Sequence, residues 1–343
     1  MKYVKPCTRS VFFFLATDIE YDLKSFELAR VLHTTTLGFS LQPNSLKGMI
    51  HLRYLYIVSC RHLPASISYL WNLETLYVFR ALKISSEIWK LKRLRYLELN
   101  MCTLPKATGE RVIMENLQTL SLLHKDEGSF LKLQNVMFPR LRKLTLKDYS
   151  DDICYPLEEL SSLLSLTNLQ SLNITSQIAR LTNPNVFPSN LTKIILRIQY
   201  RLEGRIFMNT LGALPNLQIL KLIADVLRSI YWIDIDTRKF LQLQVFHIRQ
   251  LFISWGELGE DAMPKLRHLI IEGHRASEFP EQLLSLTSLR VVHLVDCPYS
   301  FVQRVEESGL NKDSKLIIDS GECKWFGPLY SRVELKLVFY ISN

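Results

Sequence analysis

The sequence predicts an α/β solenoid, a curved horseshoe of about twelve stacked turns with a parallel sheet on its concave face. Three observations carry this. The frame Leu-x-x-Leu-x-Leu, with conservative replacements, recurs eleven times, starting at Leu52, Leu73, Leu94, Leu117, Leu141, Leu169, Leu191, Leu217, Leu243, Leu266 and Leu289. Successive starts lie 21, 21, 23, 24, 28, 22, 26, 26, 23 and 23 residues apart, and a poorer copy at Ala29, Leu32 and Thr34 lies 23 residues before the first. The chain is 48% hydrophobic over 343 residues, ample for one long core.

Each frame reads as a short strand whose alternating apolar residues point inward. One such unit cannot bury its own apolar side, so neighbours must stack and share a continuous core. A period of about 20–29 residues with this frame is the leucine-rich repeat signature. The rest of each turn forms the convex side. Leu63-Pro64-Ala65-Ser66-Ile67 and Phe279-Pro280-Glu281-Gln282-Leu283 predict short extended or helical returns that bury Ile67 with Leu70 and Leu283 with Leu286. The longer turns carry insertions, Asp148 to Pro156 and Tyr200 to Thr210 among them, expected as surface loops.

The expected organisation is an amino-terminal capping strand or linker at 1–25, the solenoid at 26–300, and a closing helix or strand with a tail at 301–343. Residues 1–20 are basic, then apolar from Val11 to Ala16, but that run is shorter than the about 7–15 residues of a secretion signal, and Asp18 and Glu20 follow. No run approaches the ~20 apolar residues of a membrane span, so no stable membrane insertion is expected. Cys60, Cys102 and Cys297 fall at the ninth position of their repeats, where a small residue turns inward, and are expected buried and reduced. Cys7, Cys154 and Cys323 are isolated, and the lack of flanking cysteine pairs fits a cytoplasmic location. Val333 to Ile341 alternates loosely and could add a strand. The triplets Asn173-Ile-Thr175 and Asn190-Leu-Thr192 fit the glycosylation pattern, but such triplets arise often by chance.

The outward positions of each strand are the third, fifth and seventh of the frame. In the early repeats these hold Tyr54, Tyr56, Val58, Thr75, Tyr77, Phe79, Tyr96, Glu98 and Asn100. An aromatic cluster rimmed by polar groups marks a protein-contact surface, and strand propensity alone is the competing reading. Further along, the positions become basic: Lys143, Lys147, Lys193, Arg197, Lys221, His247 and Arg249. With a net charge of +9, this stripe suits an acidic partner surface, against the plainer reading of a solvated basic face. It lacks the interleaved aromatics that stack bases, so nucleic acid is not the expected partner. His247, His268 and His293 are offset across the sheet, with no carboxylate or cysteine at ligand spacing, so no metal is expected. No phosphate loop, dinucleotide glycine motif, nucleophile elbow or zinc-protease motif occurs, and no cofactor and no catalytic activity are expected. Cys323 has no accompanying helical domain that would make it a ubiquitin-ligase nucleophile.

The segments FELARVLHTTTLGF, LKGMIHLRYLYIVSCRHLPASISYLWNLETLYV and SEIWKLKRLRYLELNMCTLP resemble the repeats of plant intracellular nucleotide-binding leucine-rich-repeat disease resistance proteins of the coiled-coil class, most of all the late blight resistance group. PCTRSVFFF is similar to the strand that precedes the family's first repeats, and FPEQLLSLTSLRVVHLVDCPYS with FVQRVEESG to its last repeat and closing helix; the resemblance spans residues 7–318. It implies a defence role in which early repeats restrain a nucleotide-binding module and later ones contribute to recognition of a pathogen effector. Carried onto this chain, the Tyr54–Tyr96 aromatics would be the restraining contact, and the Lys143–Arg249 stripe with the variable-length loops between would be the recognition or intramolecular contact side. The family's phosphate loop is not in this sequence, so nucleotide binding does not carry over. The alternatives are a generic cytosolic repeat adaptor and a substrate-recognition subunit of a ubiquitin ligase, which would need an F-box-like helical segment. An extracellular receptor would carry a Gly-x-Ile-Pro phrase in each repeat.

Overall fold

The computed structural model describes residues 8–14, 23–35, 41–102, 105, 107, 112–124, 136–148, 154–155, 163–175, 177–178, 187–198, 204–224, 232–235, 240–250, 252–255, 263–273, 286–307, 310 and 313–319. Fourteen parallel strands form one sheet in which successive repeats lie side by side. At ~4.8 Å per strand, the sheet runs roughly 60 Å along the solenoid. All eleven frames and the poorer copy at Ala29 contribute a strand, from Val31–Thr34 to Val291–Val295. The strand Ser10–Phe13 pairs beside Val31–Thr34, and Lys315–Asp319 pairs beyond Val291–Val295.

The register explains the frame. Leu32, Leu55, Leu76, Leu97 and Leu120 face one another across five successive strands, and every one of them is buried. The same inward row runs on through Leu144, Leu172, Ile194, Leu220, Phe246, Leu269 and Val292, so one apolar core passes the length of the molecule. Truncating such a buried leucine to alanine costs about 2–5 kcal/mol because a cavity remains. At the strand entry, Asn72, Asn116, Asn168, Asn190 and Asn216 each donate a side-chain N–H to a carbonyl of the preceding turn. These bonds satisfy carbonyls that no strand partner reaches. Asn190, the acceptor of one glycosylation triplet, thus has its amide nitrogen committed to Thr167 at 2.5 Å.

At the strand exit the chain must turn sharply inward. Arg80, Met101, Gln250, Gly273 and Asp296 occupy the eighth position and all have positive φ. Each donates its backbone N–H to a carbonyl of the next strand, for example Met101 to Leu123 at 2.7 Å. The left-handed conformation aims that N–H across the sheet, and the hydrogen bond offsets its strain. One residue later, Cys60 and Cys102 are buried and Cys297 only half-buried. Cys102 donates Sγ–H to the carbonyls of Asn100 at 3.0 Å and Val78 at 3.6 Å. Burial pushes the Cys60 thiol up to about 12 and Cys102 up to about 11, so both stay protonated and unreactive.

The convex returns differ along the chain. Ala65–Tyr69 and Ser86–Lys90 are 3-10 turns that follow two-strand pairs such as Cys60–Leu63 with Ala81–Ile84. Ile67 and Leu70 are fully buried as expected, Leu286 is partly buried, and Leu283 lies outside the described residues. Ser85 caps the second turn by accepting from the Glu87 N–H. The insertion at Tyr200 to Thr210, expected as a surface loop, instead holds most of the helix Gly204–Gly212, with Met208 and Leu211 buried three residues apart on one face. Within the insertion at Asp148 to Pro156, Cys154–Tyr155 pairs with Gln177–Ile178. After the last repeat, the helix Tyr299–Glu307 buries Phe301, Val302 and Val305. The possible strand at Val333 to Ile341, with Cys7 and Cys323, lies outside the described residues.

Candidate protein-interaction surface

The concave sheet presents three lateral rows, one for each outward frame position. In-register parallel pairing puts equivalent residues of adjacent strands next to one another, ~4.8 Å apart. The middle row begins Phe12, His33, Tyr56, Tyr77, Glu98. That spacing matches the stacking distance of flat rings. The His33 and Tyr56 rings stack at 4.1 Å and 0°, and the Tyr56 and Tyr77 rings at 4.2 Å and 6°. Phe12 and Phe14, both exposed, extend the ladder, their rings 5.8 and 5.9 Å from His33.

Of the predicted aromatic cluster, Tyr56 and Tyr77 form one stack with His33, and all three rings are half-buried. Tyr54, Tyr96 and Phe79 flank it on the outer rows, with the Arg80 guanidinium 5.7 Å from the Phe79 ring centroid. Glu98 closes the stack. It accepts from the Tyr96 hydroxyl and, at 2.8 Å, from Asn100 Nδ2, which also donates to the Tyr77 hydroxyl at 3.1 Å. Asn100, expected outward, is instead buried in this network. Burial raises the Tyr54, Tyr56, Tyr77 and Tyr96 phenols, and Glu98 adds to each, so these groups stay neutral donors. Burial lowers the His33 pKa and favours the neutral ring that stacks.

The middle repeats carry small polar groups, Ser121, Thr145 and Asn173 in the central row. Lys143 and Lys147 stand exposed at the edges of the Lys143–Asp148 strand. From Lys193 onward the face turns basic, but on an apolar floor. Ile195, Ile219, Ile223 and Val245 alternate with Lys193, Arg197, Lys221, His247 and Arg249 across three strands. Glu272 sits next to Arg249 in register. Its Oε2 lies 3.1 Å from His247 Nε2, and its Oε1 lies 3.2 Å from Arg249 Nε, an ion pair without hydrogen-bond alignment. A hydrogen bond from His247, then the charges of Arg249 and Lys221, hold the Glu272 carboxyl below its usual range against its burial. Burial, then crowding by Arg249 and Lys193, lowers the Lys221 pKa, opposed by Glu272.

Carboxylates do join two of the histidines, contrary to the reading from spacing: Glu272 meets His247, and His293 Nε2 lies 2.7 Å from Asp319. Each histidine meets a single carboxylate, and among the described residues no group of three His, Cys, Asp or Glu could hold a metal. Sequence reasoning missed His33, Phe12, Phe14 and Glu272 as parts of this surface. The signal for His33 and Glu272 was present, since they are the fifth and seventh positions of the frames at Ala29 and Leu266. Two clefts lie off the sheet: one of about 440 Å³ at the strand entries beside Gln244, Arg267 and Arg290, and one of about 360 Å³ beside Trp89 and Val112. Neither contains a residue of the outward rows.

A parallel-strand solenoid with a side-chain-rich concave sheet defines a repeat scaffold. The chain belongs to the leucine-rich repeat region family, whose pattern matches residues 7–206. It is related to plant disease resistance proteins. One late blight resistance protein homolog from Solanum demissum is 25% identical over 92% of this chain and 42% of its own length. Another homolog of the same group and plant is 26% identical over 91% of this chain and 25% of its own. The chain thus spans less than half the length of these curated relatives. Among solved structures, the plant peptide hormone receptor RGFR1 in complex with RGF2 aligns with a TM-score of 0.49 and 13% identity, covering 90% of this chain and 50% of that one. A Listeria monocytogenes internalin aligns with a TM-score of 0.48 and 15% identity, covering 87% of this chain and 76% of that one. No helix among the described residues is long and apolar enough to cross a membrane.

Proposed function

We propose that the chain is a non-catalytic protein-interaction domain of a plant immune receptor, acting in the cytoplasm in defence. Its partners are a pathogen effector, the nucleotide-binding module of a receptor held in autoinhibitory contact, or both. The observation that supports this most is the ring ladder from Phe12 through His33 and Tyr56 to Tyr77 on the concave sheet. A rigid, pre-stacked aromatic platform loses little side-chain entropy on binding and offers the large contact area typical of binding hot spots. The relatives carry the names of disease resistance proteins, and the alignments with them cover most of this chain, which supports the defence role. His33, Tyr56 and Tyr77 use their faces on one another, which favours a protein partner over nucleic-acid bases at that stack.

The test is association with the nucleotide-binding module of a plant resistance protein of the coiled-coil class, measured by co-precipitation and by suppression of leaf cell death. Replacing Tyr56 and Tyr77 by alanine is expected to weaken association by ~2 kcal/mol or more, the scale of a hot spot. Unchanged association, with the repeats still folded by circular dichroism, rejects the restraining role for this surface.

A further inference from the structure

The later half of the concave face combines two properties: outward apolar side chains and a cluster of cations that share one internal carboxylate. Lys193, Arg197, Lys221 and Arg249 all project from the strands between Lys193 and Arg249. Among the described outward residues of these strands and the next, Glu272 is the only carboxylate. It serves His247 and Arg249 directly. Lys221 is partly desolvated, with Arg249 and Lys193 near enough to disfavour its charge. The Nε of Arg197 is buried and has no hydrogen-bond partner.

We propose that this face binds an extended acidic segment of a partner protein, whose sheet-facing side mixes carboxylates with apolar side chains, and that Glu272 is the internal competitor that sets the affinity. The proposal rests on the reading of the chain as a protein-interaction domain and names the chemistry of its partner. Charge complementarity favours an acidic occupant, because each added carboxylate relieves repulsion among cations that Glu272 alone does not neutralise. The half-buried Ile195, Ile219, Ile223 and Val245 favour a polypeptide over a nucleic acid, since they offer apolar contact and no ring to stack a base. Same-face side chains of an extended strand recur every ~6.8 Å, which long Lys and Arg side chains on strands ~4.8 Å apart can meet. Glu272 already occupies the position a partner's carboxylate would take between His247 and Arg249.

The experiment is fluorescence anisotropy of the full chain with a labelled Glu–Leu peptide, Glu-Ser-Leu-Ser repeated over about eight residues so that Glu and Leu share one face, ~26 Å when extended. A Lys–Leu peptide and a labelled oligouridylate serve as comparisons, at low and physiological salt. The Glu–Leu peptide is expected to bind, more weakly as salt rises. Lys193→Glu with Lys221→Glu should weaken it about tenfold, whereas Glu272→Gln, which keeps an acceptor for His247, should tighten it about fivefold. Failure of Glu272→Gln to tighten binding overturns the competitor role, and shows that this carboxylate orients the cations. Oligouridylate binding in preference to the peptide, or indifference to charge reversal, overturns the acidic segment. The Tyr56 and Tyr77 variant should leave peptide affinity unchanged, so a failure here is distinct from a failure of the restraining role.

Discussion

The two halves of the concave face share one backbone and one register, yet handle the ~4.8 Å strand spacing in opposite ways. In the early repeats, flat rings occupy successive places in one row and stack, His33 on Tyr56 on Tyr77. In the later repeats, cations cannot stack in that way without strong repulsion. They are separated instead by Ile195, Ile219, Ile223 and Val245 and partly neutralised by Glu272. A parallel in-register sheet therefore acts as a filter on side-chain chemistry. Groups that attract their own kind form ladders, and groups that repel their own kind must be interleaved. The first arrangement gives a rigid surface, and the second a surface with unused charge.

The largest test of this contrast removes the floor below one half only. Phe246 is fully buried under the basic surface, and Phe246→Ala should cost about 3–5 kcal/mol. Because repeat stability is local plus nearest-neighbour, hydrogen exchange should accelerate around the Val245–Arg249 strand well before the Tyr54–Ile57 strand. Uniform acceleration would mean that the two halves unfold as one unit. A smaller effect comes from the strand exit. Gly273 has φ +64, and an added Cβ would lie 2.9 Å from Gln250 Cγ, the nearer part of a flexible side chain. Gly273→Ala should therefore cost ~1–2 kcal/mol, mostly for the left-handed backbone, with Gln250 shifting aside. A midpoint unchanged in urea would show that the turn tolerates a side chain as Arg80 and Met101 do.

The smallest effect separates the halves by pH. His33 has a lowered pKa in the folded chain, so its neutral ring contributes stability that is present above the unfolded value of ~6.5 and is lost as pH falls toward the folded value. Glu272 is also lowered, and its contribution is present above the unfolded value of ~4.3 and lost as pH falls through the folded one. Acid should thus loosen the aromatic half first. His33→Phe, which keeps a ring in the stack, should flatten the melting-temperature profile below about pH 7, and Glu272→Gln only below about pH 5. Equal flattening by both variants would show that the ladder and the basic cluster titrate together.

Much of this was legible in the sequence because the frame has a fixed period. Counting from Leu52 gives the outward place of Tyr54 and Tyr56, and counting from Leu243 gives that of His247 and Arg249. Contacts that depend on geometry within a row were not legible in the same way. Whether Tyr56 and Tyr77 stand apart or stack depends on strand spacing and rotamer. Glu272 meets His247 from 25 residues away, and only lateral register makes them neighbours. The helix Gly204–Gly212 stands where the sequence predicts a loop, because an insertion in a repeat array breaks the period, and a nine-residue helix gives too few turns for its own.

The sequence by itself determined the solenoid, the inward leucines and the identity of each outward residue. A strand has only two faces, so a leucine pattern that assigns one face to the core leaves the other to solvent. The tertiary structure alone decided which outward residues become partners. Parallel pairing in register turned Tyr56 and Tyr77 into a stack, buried Asn100 beside it, and set Glu272 among the cations. Those contacts join residues 21 to 25 apart in the chain, and their physical cause is the lateral spacing of the sheet.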